Sequence, residues 1–337
     1  MTSNKNNEKI HIELHADDYG ESMHTTEDIL ELMKGGYLDG VSILANMSIY
    51  PECERMLIDA VPDLPFIPYL SVHINPIEGK SLIDDRLLPW TWKKLFFVSF
   101  HLPVRDNTGK RMKYDEVYAQ LQAEIAAQIS RATDLIDRVI TRADECGIPV
   151  RSRGLRIDSH QHVHLLPIVW RALVSVLDNG FGLSEGPGLG FARIEYIRTS
   201  HEPLGPFMKH LALGFSPVGF VKNRVLACMA PKAEKYLKSR NIKPAYLWGL
   251  IMTGHMDLER ISSIMPDMLK FCGKHGYDLE LNIHPGRMLT SESTLEVPEE
   301  SARDFYMTDD RAMEMQTVRR FHDYIRRYVD EGRVTYE

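Results

Sequence analysis

The sequence predicts an α/β protein: a (β/α) barrel of about seven strands, one domain over residues 1–337 with two insertions. Three observations lead there. Short β-type runs alternate with helix-period runs about seven times, which implies parallel βαβ units. No glycine-rich dinucleotide fingerprint follows any of the strands, which favours a barrel over an open doubly wound sheet. The 337 residues suit one barrel-sized domain, although two smaller ones would also fit.

Element by element, IHIELHADD (10–18) has β character. Gly20 permits a turn, and Ser22 caps an acidic helix that runs to about Lys34. LDGVSILAN (38–46) is the second strand, PECERMLIDAV (51–61) the second helix and PYLSVHIN (68–75) the third strand. Tyr114 to Glu145 is the clearest helix, because Val117, Leu121, Ile125, Ile129, Leu135 and Ile136 recur at roughly helical spacing. GLRIDSHQH (154–162) follows as a strand, IVWRALVSVLD (168–178) as a helix and FARIEYIRT (191–199) as a strand. AYLWGLIMTG (245–254), a helix near 257–274, the strand YDLELNIHPG (277–286) and a helix over 311–331 complete the alternation. Residues 80–112 and 203–244 exceed the usual connection of about 2–6 residues and read as insertions, either lids and contact surfaces or helices that extend the core. Within the second, the apolar stretch 205–229 is a candidate homodimer surface and equally a candidate cleft wall.

Composition excludes several classes. The formal charge is −7 with both signs interspersed, so no basic face for nucleic acid is expected. No run of 18 apolar residues exists, and the N-terminal MTSNKNNEKI is polar, so the expectation is a soluble, cytoplasmic protein without membrane contact. Cys53, Cys146, Cys228 and Cys272 lie far apart, which indicates neither a disulfide framework nor a thiolate zinc site.

The active site of a barrel collects at the C-terminal ends of its strands. Here the predicted strand ends carry Asp17 and Asp18, His73 and Asn75, Asp158 and His160, Thr253 and His255, and Asn282 and His284. Any one of these could be a core histidine or a solvated carboxylate. Five strand ends together point to a site.

The stretch RIDSHQHVH (156–164) sharpens the choice. Period-two geometry puts Asp158 inside the barrel and His160 at its mouth, with Leu155 and Ile157 toward the helices. His162 and His164 then fall in the loop before Pro167, where they pack beside the site or support it. Asp17 and Asp18 point apart in a regular strand, and both reach one site only if the chain turns near Gly20. Two histidines and a carboxylate with an open position suit a catalytic divalent metal, and Asp18, His73 and His160 supply that set. Asp17 is then free to act as general base, Asp158 to orient a ligand, and His284 to act as acid, an arrangement suited to amide hydrolysis.

These residues carry a resemblance. HADDYG (15–20), SVHINPIEGKSL (71–82), DSHQHVH (158–164) and NIHPG (282–286) resemble, in order and spacing, the motifs of YdjC-like or ChbG-like carbohydrate deacetylases. The resemblance covers roughly 10–80, 113–200 and 245–290, and not the two insertions. It implies a distorted TIM-like barrel that uses a divalent metal ion, Zn2+ or Mg2+, to remove the acetyl group from an N-acetylated amino sugar or oligosaccharide. It makes Asp17 the general base and Asp18, His73 and His160 the metal ligands. His284 matches the histidine-proline element as acid or transition-state stabiliser, and Arg198 resembles an arginine placed near the sugar. Asn75 and His164 join Asp158 as residues that touch substrate or support the ligands. His24 and Thr26 stand where family members commonly have glycine and asparagine. Two other readings keep some of these features: a metal-dependent amidohydrolase or PHP-type phosphoesterase on a similar barrel, and a noncatalytic sugar-binding protein.

Overall fold

A computed structural model describes residues 9–106, 108–179, 193–215, 217–292 and 296–336. The polar N-terminal stretch before residue 9 and Phe191 and Ala192, the first residues of the predicted fifth strand, lie outside them. In chain order the elements are β1 (Ile10–Tyr19), α1 (Met23–Lys34), β2 (Gly40–Ile43), α2 (Tyr50–Ala60), β3 (Tyr69–Ile74), α3 (Trp92–Ser99), α4 (Tyr114–Cys146), β4 (Leu155–Ser159) and α5 (Pro167–Asn179). They continue as β5 (Ile194–Ile197), α6 (Pro217–Ser239), β6 (Ala245–Trp248), α7 (Leu258–His275), β7 (Asp278–Ile283), α8 (Glu300–Tyr306), α9 (Asp309–Asp330) and the short β8 (Val334–Thr335).

The seven main strands pair in parallel in the order β5-β4-β3-β2-β1-β7-β6, and β8 pairs with the start of β1. The sheet curls into a half-barrel with helices outside, a distorted version of the predicted barrel. Among the described residues no ladder joins β5 to β6. The seam is instead bridged just past β5, where Leu247 donates its backbone N–H to His201 O at 3.0 Å and Thr199 donates its hydroxyl to Ala245 O at 3.0 Å.

Strand alternation explains the layering. On β1, Ile12, Leu14 and Ala16 are fully buried in the apolar core. The alternate residues Glu13, His15 and Asp17 are buried too, but they bond across the inside of the curl to Arg156, Ser42 and Arg198. A parallel sheet covered by helices normally reads as continuous apolar runs. This one keeps a polar lumen.

Several helix boundaries follow local chemistry. Ser22 caps α1 by accepting the Thr25 N–H, as predicted, and Asp257 caps α7 by accepting the Arg260 N–H. α4 spans about 50 Å at ~1.5 Å per residue and stops at Gly147, whose φ of 71° is left-handed. Within 80–112, Thr91 caps α3, which packs on α5. Within 203–244, α6 occupies the helix position between β5 and β6. No helix among the described residues is long and apolar enough to cross a membrane.

One strand is shorter than its sequence predicts. AYLWGLIMTG reads as β to residue 254, yet β6 ends at Trp248. The chain leaves the sheet at Gly249, whose φ is 149° and where a Cβ would sit 2.4 Å from Asn282 O. Thr253 and His255 are therefore not at a strand end, and half-exposed His255 lies 3.9 Å from Asp310. Gly249→Ala is expected to destabilise the protein by about 3 kcal/mol through strain and overlap, read as a lower urea midpoint.

Candidate active site

The site is made around three strand ends, those of β1, β4 and β5, that stop being regular. On β1, Ala16 pairs with Val41 and Tyr19 with Ile43, so three steps of one strand match two of the other. Such a bulge re-aims side chains. Asp18 takes a φ of 72°, so the turn needed to bring both aspartates to one site is at Asp18 itself, ahead of Gly20. Gln161 (φ 50°), His162 (φ 58°) and Ser200 (φ 47°) are left-handed as well. Non-glycine residues in this region cost roughly 1–3 kcal/mol each, and they gather here at the mouth of the curl.

β3 and β4 place His73 opposite Asp158 in register. His73 Nδ1 lies 2.6 Å from Asp158 Oδ1, which turns Nε2 toward Asp18 Oδ1 at 3.6 Å. His73 Nε2 is buried and has no hydrogen-bond partner. β4 ends at Ser159, and His160 opens the following turn with Nδ1 3.0 Å from the same Asp18 oxygen. Arg311 of α9 holds the other Asp18 oxygen at 3.2 Å.

Ligand atoms of three residue sets lie within 4.8 Å of one another: Asp18-His73-His160, His15-Asp158-Glu280 and Asp17-His73-Asp158. Arg198 decides between them. Its fully buried guanidinium contacts Asp17 with both terminal nitrogens at 2.8 Å, Asp158 at 3.2 Å and Glu280 at 2.5 Å. A cation already sits in the second and third sets, and His15 has both nitrogens engaged, by Glu13 at 2.7 Å and Ser42 at 2.6 Å. In the first set Arg311 takes only the outer oxygen of Asp18, so Asp18 Oδ1, orphaned His73 Nε2 and His160 Nδ1 converge at the cleft with no arginine on the converging atoms. Two histidine nitrogens and one carboxylate, with room for further ligands, fit a divalent cation.

Charge is tuned throughout. Burial opposes the charge on Asp17, yet Arg198, with His73 and His15, holds its carboxyl well below the usual range. Burial likewise opposes protonation of His73, but Asp17 and Asp158 raise it to about 9. Burial also opposes the charge on His160, but Glu78 and Asp18 raise it well above its ordinary value. Three other histidines of the site go the other way. Burial lowers His164 and His284 to about 4 and His162 well below its ordinary value.

The cleft over these groups measures about 320 Å³, within the ~300–1,000 Å³ of small-molecule sites. Asp17, Asp18, His73, His160 and His284 all line it. Asp158 lies beneath them, behind His73. Arg198 sits deeper than the cleft wall, in the lumen, and reaches the site through Asp17. His164 is buried between Ser159 Oγ (2.5 Å) and Arg198 O (2.7 Å), and so supports the loop from below. Asn75 accepts the backbone N–H groups of Ile77 and Glu78 at 3.3 and 3.0 Å, which shapes the turn that carries Glu78. His24 and Thr26 lie on α1 outside the cleft lining, and Thr26 bonds Ser22 O at 2.7 Å.

Sequence reasoning missed four residues of the site. Glu78, inside the quoted motif SVHINPIEGKSL, lies 3.4 Å from His160 Nε2. Lys222, half-buried on α6, lines the cleft with Val218, and burial brings it to about 8 against the pull of Asp17 and Asp18. Tyr306 of α8 and Arg311 of α9 had no local signal, because only tertiary packing brings these helices over the strand ends.

Fold and site together define a class: an α/β half-barrel with a candidate divalent-metal centre at its strand ends. The profile of the YdjC-like protein family matches residues 153–325, and the chain belongs to that family, which includes carbohydrate deacetylases. The match takes in His160, Arg198, His284, Tyr306 and Arg311, while Asp17, Asp18 and His73 join them through the parallel sheet. No curated protein matches the chain in sequence. Among solved structures, an Enterococcus faecalis protein named as a candidate for cellobiose-phosphate cleavage aligns with a TM-score of 0.54 at 14% identity, over 98% of this chain and 97% of that one. That likeness is one of fold.

The low values of the buried histidines carry a consequence for stability. His164 binds a proton near pH 6.5 when unfolded and only near pH 4 when folded, so its contribution is complete above 6.5 and lost as pH falls toward 4. His164→Gln is expected to reduce the slope of stability against pH in that window by roughly one proton, ~1.4 kcal/mol per pH unit, measured by urea unfolding at several pH values.

Proposed function

We propose that this protein is a metal-dependent hydrolase that removes the acetyl group from an N-acetylated amino sugar or oligosaccharide. The observation that carries the reading is the convergence of Asp18 Oδ1, orphaned His73 Nε2 and His160 Nδ1 at a cleft that Asp17 also lines. These three atoms would hold the cation. A divalent ion such as Zn2+ or Mg2+ there would acidify water and polarise the oxygen of the scissile amide.

Asp17 is the general base. Arg198 keeps it ionised and aims it, at the expense of basicity, so Asp17 serves by position more than by proton affinity. The proton it takes from water can pass to the departing sugar nitrogen, which leaves as an amine beside acetate. His284 is neutral near pH 7, since burial holds it at about 4. It therefore acts as an N–H donor to developing negative charge rather than as a source of a whole proton. Lys222, which also lines the cleft, supplies a positive charge to it. Membership of the YdjC-like family supports a saccharide as the substrate.

The test is acetate release from a panel of N-acetylated mono- and oligosaccharides, with metal content measured in parallel. Asp17→Asn is expected to lower turnover by at least about 100-fold while the cation stays bound, and His160→Ala to lose the cation. Equal loss of metal in both variants would overturn the division between base and ligand. Phosphate release from phosphorylated sugars without acetate release would instead favour a phosphoesterase.

A further inference from the structure

Tyr306 takes no part in the chemistry above, yet its hydroxyl is buried against the far side of His160. α8 brings Oη to 2.8 Å from His160 Nε2, and Oη donates toward Glu78, both of whose carboxylate oxygens lie 3.0 Å away. All three side chains are buried. A phenol has one proton to give. With that proton on Glu78, only oxygen lone pairs face His160, so Nε2 must carry the hydrogen. Nδ1 is then the nitrogen that faces Asp18 Oδ1 at 3.0 Å. His73 solves the same problem with a direct carboxylate, Asp158 at 2.6 Å.

From this geometry we infer that Tyr306, anchored by Glu78, is a positioning residue that sets the tautomer and ring orientation of His160 and so presents Nδ1 as a metal ligand. The inference rests on the metal reading proposed above. It makes α8, far from the histidine in sequence, part of the metal site. Glu78 alone is a poor substitute, because its nearer oxygen lies 3.4 Å from His160 Nε2, at the limit of a hydrogen bond. Outer partners of this kind are typically worth about 10–100-fold in metal affinity.

The experiment measures Zn2+ affinity by chelator competition in the full-length wild type, Tyr306→Phe, Glu78→Gln and the double variant. His160 15N shifts are recorded on the Zn2+-loaded proteins, and thermal midpoints serve as the folding control. Tyr306→Phe and Glu78→Gln are each expected to lose about 10-fold or more in affinity and to leave a mixed His160 tautomer. The double variant should lose little beyond the worse single one, because the two residues act in series. Tyr306→Phe affinity within twofold of wild type, or an unchanged His160 tautomer, would overturn the inference and leave the metal site standing. Were Tyr306→Phe not to fold, the same two outcomes read on Glu78→Gln would decide. A wild type that takes up no Zn2+ would overturn the metal reading and the relay together.

Discussion

The buried guanidinium of Arg198 holds the lumen of this half-barrel together. Four carboxylates, Glu13, Asp17, Asp158 and Glu280, point inward from three strands, and without compensation their burial would cost several kcal/mol per charge. Arg198 binds three of them, and Arg156 grips the fourth, Glu13, with one nitrogen at 2.6 and 2.7 Å from its two oxygens. Glu13 and the other lumen carboxylates in turn raise His15 and His73 against the lowering effect of burial. Charge inside the curl is thereby nearly balanced. Removing one partner of such a buried set typically costs about 3–5 kcal/mol, because the remaining charge is left stranded. The geometry of Asp17 and Asp158, and through Asp158 the ring of His73, follows from this network.

A second constraint lies at the top of the strands. Parallel strands alone would send Asp17 and Asp18 to opposite faces and carry the histidines of DSHQHVH outward along one line. The bulge at Asp18 and the left-handed residues Gln161 and His162 break that regularity. Strain there is balanced by burial around it: Ser159 and Arg198 O hold His164, and Ser200 holds His162 at 2.9 Å. The cleft side of the site thus rests on a polar scaffold that is itself closed to solvent. Its outer walls come from α6 and α8, which supply Lys222 and Tyr306.

Much of this was legible in the sequence. Alternating periods predicted parallel βαβ units, and the strand ends that carry Asp17, Asp18, His73, His160 and His284 do converge on one cleft. Period-two geometry placed Asp158 in the lumen and left His160 as the one histidine of its motif beside Asp18. The reach of β6 was misread, because an apolar run says nothing of where a glycine must let one strand pass close to another. Asn75 and His164 prove to be braces inside loops, for a side chain's direction in an irregular turn has no period to reveal it.

The sequence by itself determined the order of elements, the polar residues at their ends and the pairing of two histidines with an aspartate, since these follow from local spacing and strand alternation. Tertiary structure decided which carboxylates are neutralised by Arg198, which imidazole nitrogen is left without a partner, and that Glu78, Lys222, Tyr306 and Arg311 belong to the site. The physical reason is that charge compensation and hydrogen-bond satisfaction depend on distances of a few ångströms. In the site those distances arise between residues as far as 293 positions apart, as in Arg311 and Asp18, and exist only once the sheet has curled.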